Sequence, residues 1–407
     1  MKKREMTEEI TAAEALLYKA YNRYPVVFER GDGVHLYDTE GTEYLDFFAG
    51  IAVNALGYHY PGYDEALKAE LDCFLHISNY FYNPPALRAG EKLLKVSGME
   101  KVFFTNSGTE AIEGALKLAR RYAFNRQGDH SRFELIAMEH SFHGRSMGAL
   151  SVTGKQEYRA PFEPLIPGVR FAEFNQLDAV KALISGRTCG MIVEPIQGEG
   201  GIYPADDAFL QGLRALADEH DLILIFDEIQ CGMGRTGDYF AWQRSGVKPD
   251  VITVAKALGN GVPIGAFLTQ GKANTALRPG DHGTTYGGNP LVCAAADAVL
   301  TIFEKDDILA HVRAVGEYLK EKLLALKERC PHLTAVRGRG LMLGLEFDAP
   351  VAPVLQRALQ TEHLVLINAG TNIIRIIPPL IITERDADEA ISRLERALAV
   401  LEEQEFK

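Results

Sequence analysis

The sequence predicts an α/β chain, with a mostly parallel central sheet in a large domain and a smaller α+β domain beside it. Three observations predict this. From about Pro84 to Leu277, short apolar runs alternate with amphipathic helical stretches, the pattern of a parallel sheet covered on both faces. Two of those runs, Leu222 to Phe226 and Val251 to Ala255, are rich in β-branched residues and lead straight into a charged residue, Asp227 or Lys256. Toward the C-terminus the pattern changes to strand-like runs separated by single helices. The expected division is residues 1–50 as an N-terminal segment joining the small domain, 51–295 as the large domain, and 296–407 as the small one.

Each element has a local cause. Val34 to Asp38, followed by Glu40-Gly41-Thr42, reads as a strand entering a hairpin. Val102-Phe103-Phe104 reads as a short strand, and Asn106-Ser107-Gly108-Thr109 turns into a helix from about Glu110 to Phe124. There Ala111, Ile112, Ala115, Ala119 and Tyr122 form one stripe, and Ser107 and Glu110 have capping-box spacing. Leu135 to Ala137, Met191 to Val193, Leu222 to Phe226 and Val251 to Val254 are the clearest strands. In the C-terminal part Leu341 to Phe347, Val365 to Ile367 and Ile373 to Ile377 are strand-like. One helix is expected near Val354 to Thr361. Another, from about Glu384 to Glu403, starts at Thr383 and Asp386 and buries Ile391, Leu394, Leu398 and Leu401.

Chemistry concentrates where strands end. Open α/β sheets bind ligands in the crevice at the carboxyl ends of their strands. Lysine there can condense with a carbonyl carbon, and aspartate can hold a protonated ring nitrogen. Pyridoxal phosphate requires both contacts. A lone strand-end Asp is more often a turn or cap, and a lone Lys a solvated loop residue. The reading gains weight from Ser107-Gly108-Thr109, where a helix N-terminus offers unpaired N–H groups to a phosphate. Gly232 to Gly237 spells a dinucleotide fingerprint. Asp227 to Cys231 intervenes after the strand, however, and Asp238 to Gly246 lacks the repeat of a crossover helix, so a nicotinamide site is rejected.

Composition narrows the classes. The 407 residues are 47% hydrophobic and 24% charged with net charge −12, which argues against a nucleic-acid partner. Met1-Lys2-Lys3-Arg4 leads into Glu5 rather than an apolar run, so no secretory signal is expected, and no run is long enough to span a membrane. The five cysteines are scattered, as in a cytoplasmic protein. His140 and His143 lack a nearby third ligand, and no metal is expected.

With Lys256, Asp227 and the Ser107-Gly108-Thr109 cradle in place, the chain resembles the class III aminotransferases of pyridoxal-phosphate (PLP) fold type I, from about Tyr24 to Leu380. Several blocks resemble the acetylornithine branch of that family: Gly50 to Gly57, Ser141-Phe142-His143-Gly144-Arg145, Val193 to Glu199, Asp227 to Gln230, and Gly280 to Pro290, which includes Thr284. Ordered blocks of this kind are more specific than any single motif.

The resemblance implies pyridoxal 5′-phosphate as cofactor, bound in the large domain, and N-acetylornithine with 2-oxoglutarate or glutamate as substrates. It implies Lys256 and Asp227 as catalytic residues. Phe142 would stack on the cofactor ring, Gln230 would lie near its phenolic oxygen, and Thr285 would reach the phosphate in a partner subunit of a homodimer. Arg145, Glu199, Thr284 and Arg375 would face substrate, with Glu199 pairing Arg375 when no α-carboxylate adjoins the reacting carbon. His143 stands where ornithine aminotransferases typically carry Trp, which leans toward an acetylated substrate. Tyr58-His59-Tyr60-Pro61 departs from the family's usual His-x-His-Pro near the expected pocket rim, and Ala257 stands where Gly is common. The alternatives are an ornithine, succinyl-diaminopimelate or 4-aminobutyrate transaminase, or a racemase or aminomutase on the same fold.

Overall fold

The computed structural model describes residues 5–405; Met1 to Arg4, on which the signal reading rests, lie outside the described residues. A seven-stranded sheet organises the centre. Its strands run Lys101–Thr105, Gly265–Thr269, Val251–Val254, Ile223–Asp227, Thr188–Val193, Glu134–Met138 and Val169–Ala172 from edge to edge. Only Gly265–Thr269 runs against its neighbours. The aspartate and lysine strands are adjacent and parallel, with Asp227 opposite Thr253.

Alternation along the strands explains why both faces are covered. Leu135, Ala137, Ile192, Ile223 and Ile225 point to one face and pack on Ile112, Ala115 and Ala119 of the helix Gly108–Gln127. Ile136, Met138, Met191, Leu224 and Phe226 point to the other and meet Phe209, Leu213 and Leu216 of the helix Asp207–Glu219. Every residue of the aspartate and lysine strands is buried, so both charged groups are delivered by rigid, doubly covered backbone.

Two smaller sheets flank this layer. Leu333–Arg339, Met342–Phe347, Ile373–Ile376 and Ile367–Ala369 form an antiparallel sheet in that order. The N-terminal strands Phe28–Asp32, His35–Asp38 and Glu43–Asp46 form the other, joined in parallel by Leu364–Val365. The expected single run Val365 to Ile367 is therefore two strands serving different sheets, which ties the N-terminal hairpin to the C-terminal layer. The long helices Pro290–Lys305 and Ile308–Lys327 share one continuous core with both layers. The expected boundary at 295/296 falls inside the first of them. Among the described residues no helix is long and apolar enough to cross a membrane.

Candidate active site

The cradle, Phe142, Asp227, Gln230 and Lys256 meet at one end of the large sheet's strands. A cavity of about 330 Å³ opens there, and Ser107, Gly108, Thr109, Phe142, Asp227, Gln230 and Lys256 all line it. Asp227 ends its strand and is buried. Its Oδ1 accepts the Ile229 amide at 3.0 Å and the Thr253 hydroxyl at 3.3 Å, while its Oδ2 lies 2.7 Å from His143 Nδ1. Lys256 follows its strand at φ +48°, a left-handed conformation that costs a non-glycine residue about 1–2 kcal/mol. Strain of this kind persists only where surrounding structure enforces it, and it clusters at functional sites. Burial pulls the Lys256 ammonium below its usual range, against the opposing pull of Glu199. A lysine shifted in this direction is easier to hold as a neutral nucleophile.

The cradle forms where Lys101–Thr105 ends and the 20-residue helix Gly108–Gln127 begins. The Ser107 side chain accepts the Glu110 amide at 3.4 Å. The first N–H groups of the helix have no intrahelical acceptor and so remain available to an anion. Thr109 Oγ1 lies 2.8 Å from Ser146 Oγ, which fastens the cradle to the loop carrying Phe142. A carboxylate-bearing strand end, a lysine, an aromatic face and a helix N-terminus thus share one cavity. This donor set fits a flat, cationic-ring, phosphorylated carbonyl cofactor.

Glu199 and Arg375 stand behind Gln230. Arg375 belongs to the antiparallel sheet and is buried; its Nη1 donates to Glu199 Oε1 at 2.6 Å and to Gln230 Oε1 at 3.4 Å. Its Nε donates to the Asn368 carbonyl at 3.2 Å. Burial would raise the Glu199 carboxyl, but Arg375, Lys256 and Lys155 together hold it below its usual range, so it is ionised. Arg145 is exposed, its guanidinium carbon 3.8 Å from the Tyr158 ring centre and 5.5 Å from that of Phe142.

Two threonines stand apart. Thr284 Oγ1 accepts from Asn106 Nδ2 and the Gly287 amide, both at 3.1 Å, and Thr285 is exposed outside the cavity walls. The Tyr58 departure does not reach the cavity either. Its hydroxyl donates to buried Asp46 at 2.9 Å, and its backbone pairs with Gly33, pinning the N-terminal hairpin.

Sequence reasoning missed Glu194 and the placement of His143. Glu194 is buried directly after its strand, accepts the Phe142 amide at 3.0 Å and the Gly198 amide at 3.1 Å, and has its carboxyl pushed up by burial. It carries the strand-end acid signature that marked Asp227. The sequence marks His143 only as a residue that leans toward an acetylated substrate; its ring is buried against Asp227, and its Nε2 has no partner among the described residues.

The sequence profile of the Aminotransferase class-III family matches residues 17–398. An acetylornithine aminotransferase of Clostridium acetobutylicum is 46% identical over 95% of this chain and its own whole length. A crystal structure of the N-acetylornithine aminotransferase of Stenotrophomonas maltophilia superposes with TM-score 0.83 at 35% identity, covering 96% of this chain and 99% of that one. The ornithine aminotransferase of Toxoplasma gondii, described with PLP partly occupying its active site, superposes with TM-score 0.94 at 29% identity, over 99% and 96%. The fold, the strand-end lysine and acid in one cavity, and these likenesses agree: the chain belongs to the class III aminotransferases.

Proposed function

We propose that this chain is a PLP-dependent acetylornithine aminotransferase, exchanging the δ-amino group of N-acetylornithine with 2-oxoglutarate and glutamate, as in arginine biosynthesis. The observation that carries the reading is the pair of buried Arg375 with partly buried Glu199 beside the Lys256 cavity. Glutamate reacts next to its α-carboxylate and needs a bidentate cation there, which Arg375 can supply. N-acetylornithine reacts at its far amine, where no carboxylate adjoins the reacting carbon, and a bare buried guanidinium would be uncompensated. Glu199 covers that charge in one half-reaction and releases it in the other.

The remaining roles follow from the chemistry of each side chain. Lys256 Nζ would hold the cofactor covalently, Asp227 its ring nitrogen, Phe142 its face, Gln230 its phenolic oxygen, and Ser107, Gly108 and Thr109 its phosphate. When bound, pyridoxal phosphate supplies an electron sink for the carbon that loses its proton. Freed from the cofactor when the donor amine displaces it, Lys256 Nζ would take the proton from that carbon and return it to the cofactor's carbonyl carbon two atoms away, serving as base and acid in turn. Asp227, held by Thr253, Ile229 and His143, keeps its charge aimed at the ring. Arg145 receives the distal carboxylate of N-acetylornithine, and Thr284 braces the cradle through Asn106.

The reading includes a homodimer in the cytoplasm, with residues 1–50 and 296–407 as the small unit around a large unit of 51–295. Tyr80, Phe81, Tyr82 and Tyr286 are exposed beside Thr285, and Asn79 ties the two segments by donating to the Gly287 carbonyl at 2.8 Å. Such an exposed aromatic face suits a second copy of the chain, which would let Thr285 reach its partner's phosphate.

The test is to mix purified enzyme with N-acetylornithine, ornithine, succinyl-diaminopimelate and 4-aminobutyrate and follow loss of the cofactor's absorbance. N-acetylornithine should react with the highest kcat/KM. Faster reaction with any of the other three would replace the substrate assignment.

A further inference from the structure

The mouth of the cavity holds an arrangement that neither the family motifs nor the strand pattern assigns. Tyr158 lies on the short helix Gln156–Arg159, half-buried, and meets Phe142 edge-on at 6.3 Å and 89°. The Arg145 guanidinium lies over the Tyr158 ring, its central carbon 3.8 Å from the ring centre. Among the described residues Arg145 forms no ion pair, so the ring is its main restraint. Lys155 Nζ lies 5.4 Å from the same ring and donates to the Glu199 carbonyl at 2.8 Å, linking the platform to the segment that holds Glu199.

We propose that Tyr158 positions Arg145, the two forming one carboxylate subsite that selects substrates with a carboxylate far from the reacting amine. The inference rests on the acetylornithine reading, which gives Arg145 that carboxylate. An exposed arginine loses much rotamer freedom when it binds. A π face beneath the guanidinium removes part of that loss in advance and leaves the N–H edge free for a bidentate contact. Tyr158 is a positioning residue: it touches the arginine, not the reacting atoms.

The experiment compares Tyr158→Leu, Tyr158→Phe and Arg145→Ala in the holoenzyme. Two constants are read: KM for N-acetylornithine, and the inhibition constant of N-acetylnorvaline, which keeps the carboxylate and lacks the reacting amine. Tyr158→Leu should raise both roughly 2- to 30-fold, the range of a cation–π contact, with kcat within about twofold. Tyr158→Phe keeps the ring and should restore both. Unchanged constants in Tyr158→Leu, or equal losses in Leu and Phe, would overturn the inference. If Arg145→Ala still raised both constants in that case, the substrate reading would stand without it; if Arg145→Ala changed neither, both would fall.

Discussion

At the floor of the cavity Asp227, His143 and Thr253 are buried, the latter two each hydrogen-bonded to Asp227, and all are carried on or beside the parallel sheet. At its mouth Arg145 is exposed on a loop, and Tyr158 rides a four-residue helix. Between them Glu199, on a loop after one sheet, meets Arg375, on a strand of another. The floor has no freedom, because moving any member strands a buried polar group at a cost of about 1–3 kcal/mol. The mouth can rearrange cheaply, since its groups face water, while buried Arg375 can give up Glu199 only when another carboxylate replaces it. The contrast suits an enzyme that must keep its cofactor chemistry fixed while admitting two differently shaped donors.

Breaking the floor should have the largest effects. Lys256→Ala should cut transamination at least 10²–10⁴-fold from the lost proton transfer alone, while the cradle still retains the cofactor. Borohydride reduction of wild type followed by peptide mapping should place the label on Lys256, and label on another lysine would contradict the assignment. Asp227→Ala should slow single turnovers with either donor by about 10²–10³-fold, the scale of losing one preorganised electrostatic contact. It should also lower the melting temperature, since His143 and Thr253 lose their partner. Wild-type turnover would reduce Asp227 to a strand-end cap.

Glu228 sharpens the comparison, being a buried acid next to Asp227 that faces away from the chemistry. It accepts the Ala241 and Trp242 amides at 2.9 and 2.8 Å and the Cys231 thiol. Burial pushes its carboxyl up to about 7, although those donors pull it down. The folded state therefore binds a proton that the unfolded chain, with an ordinary glutamate, releases near pH 4.5. The resulting stability is full below that pH and lost as pH rises through about 7, about 3 kcal/mol in all. Urea unfolding of wild type and Glu228→Gln between about pH 5 and 8 measures it. The variant should lack that decline, and equal slopes would show that Glu228 does not titrate there.

Much of the floor was legible in the sequence because buried parallel strands announce themselves as apolar runs, and two such runs closing in a charge, together with the Ser107 to Thr109 cradle, point to one site where either charge alone reads as a cap or loop residue. Asp227 and Lys256 both read this way. Glu194 carries the same signature after Val193, but it enters the sequence reading only as part of the Val193 to Glu199 block, because nothing in the sequence shows that its carboxylate holds the Phe142 loop. The partner of His143 was not legible, since 84 residues separate it from Asp227 and only the sheet order brings them together. Tyr158 gave no signal, because a cation–π contact on a short helix has no periodicity. Tyr58 misled through adjacency: a departure beside a conserved-looking block serves the hairpin rather than the pocket.

The most direct test of a fixed floor and a carboxylate-exchanging pair beside it is the pair of half-reactions in Arg375→Ala. Single-turnover rates should be measured separately with glutamate and with N-acetylornithine. Losing a desolvated bidentate contact of about 2–5 kcal/mol slows a step roughly 30-fold to several thousand-fold if the loss falls on the transition state. That loss should fall on glutamate and largely spare N-acetylornithine, whereas Asp227→Ala slows both. Equal losses with the two donors in Arg375→Ala would mean that the Glu199–Arg375 bridge only ties the two layers together, and that no switch exists.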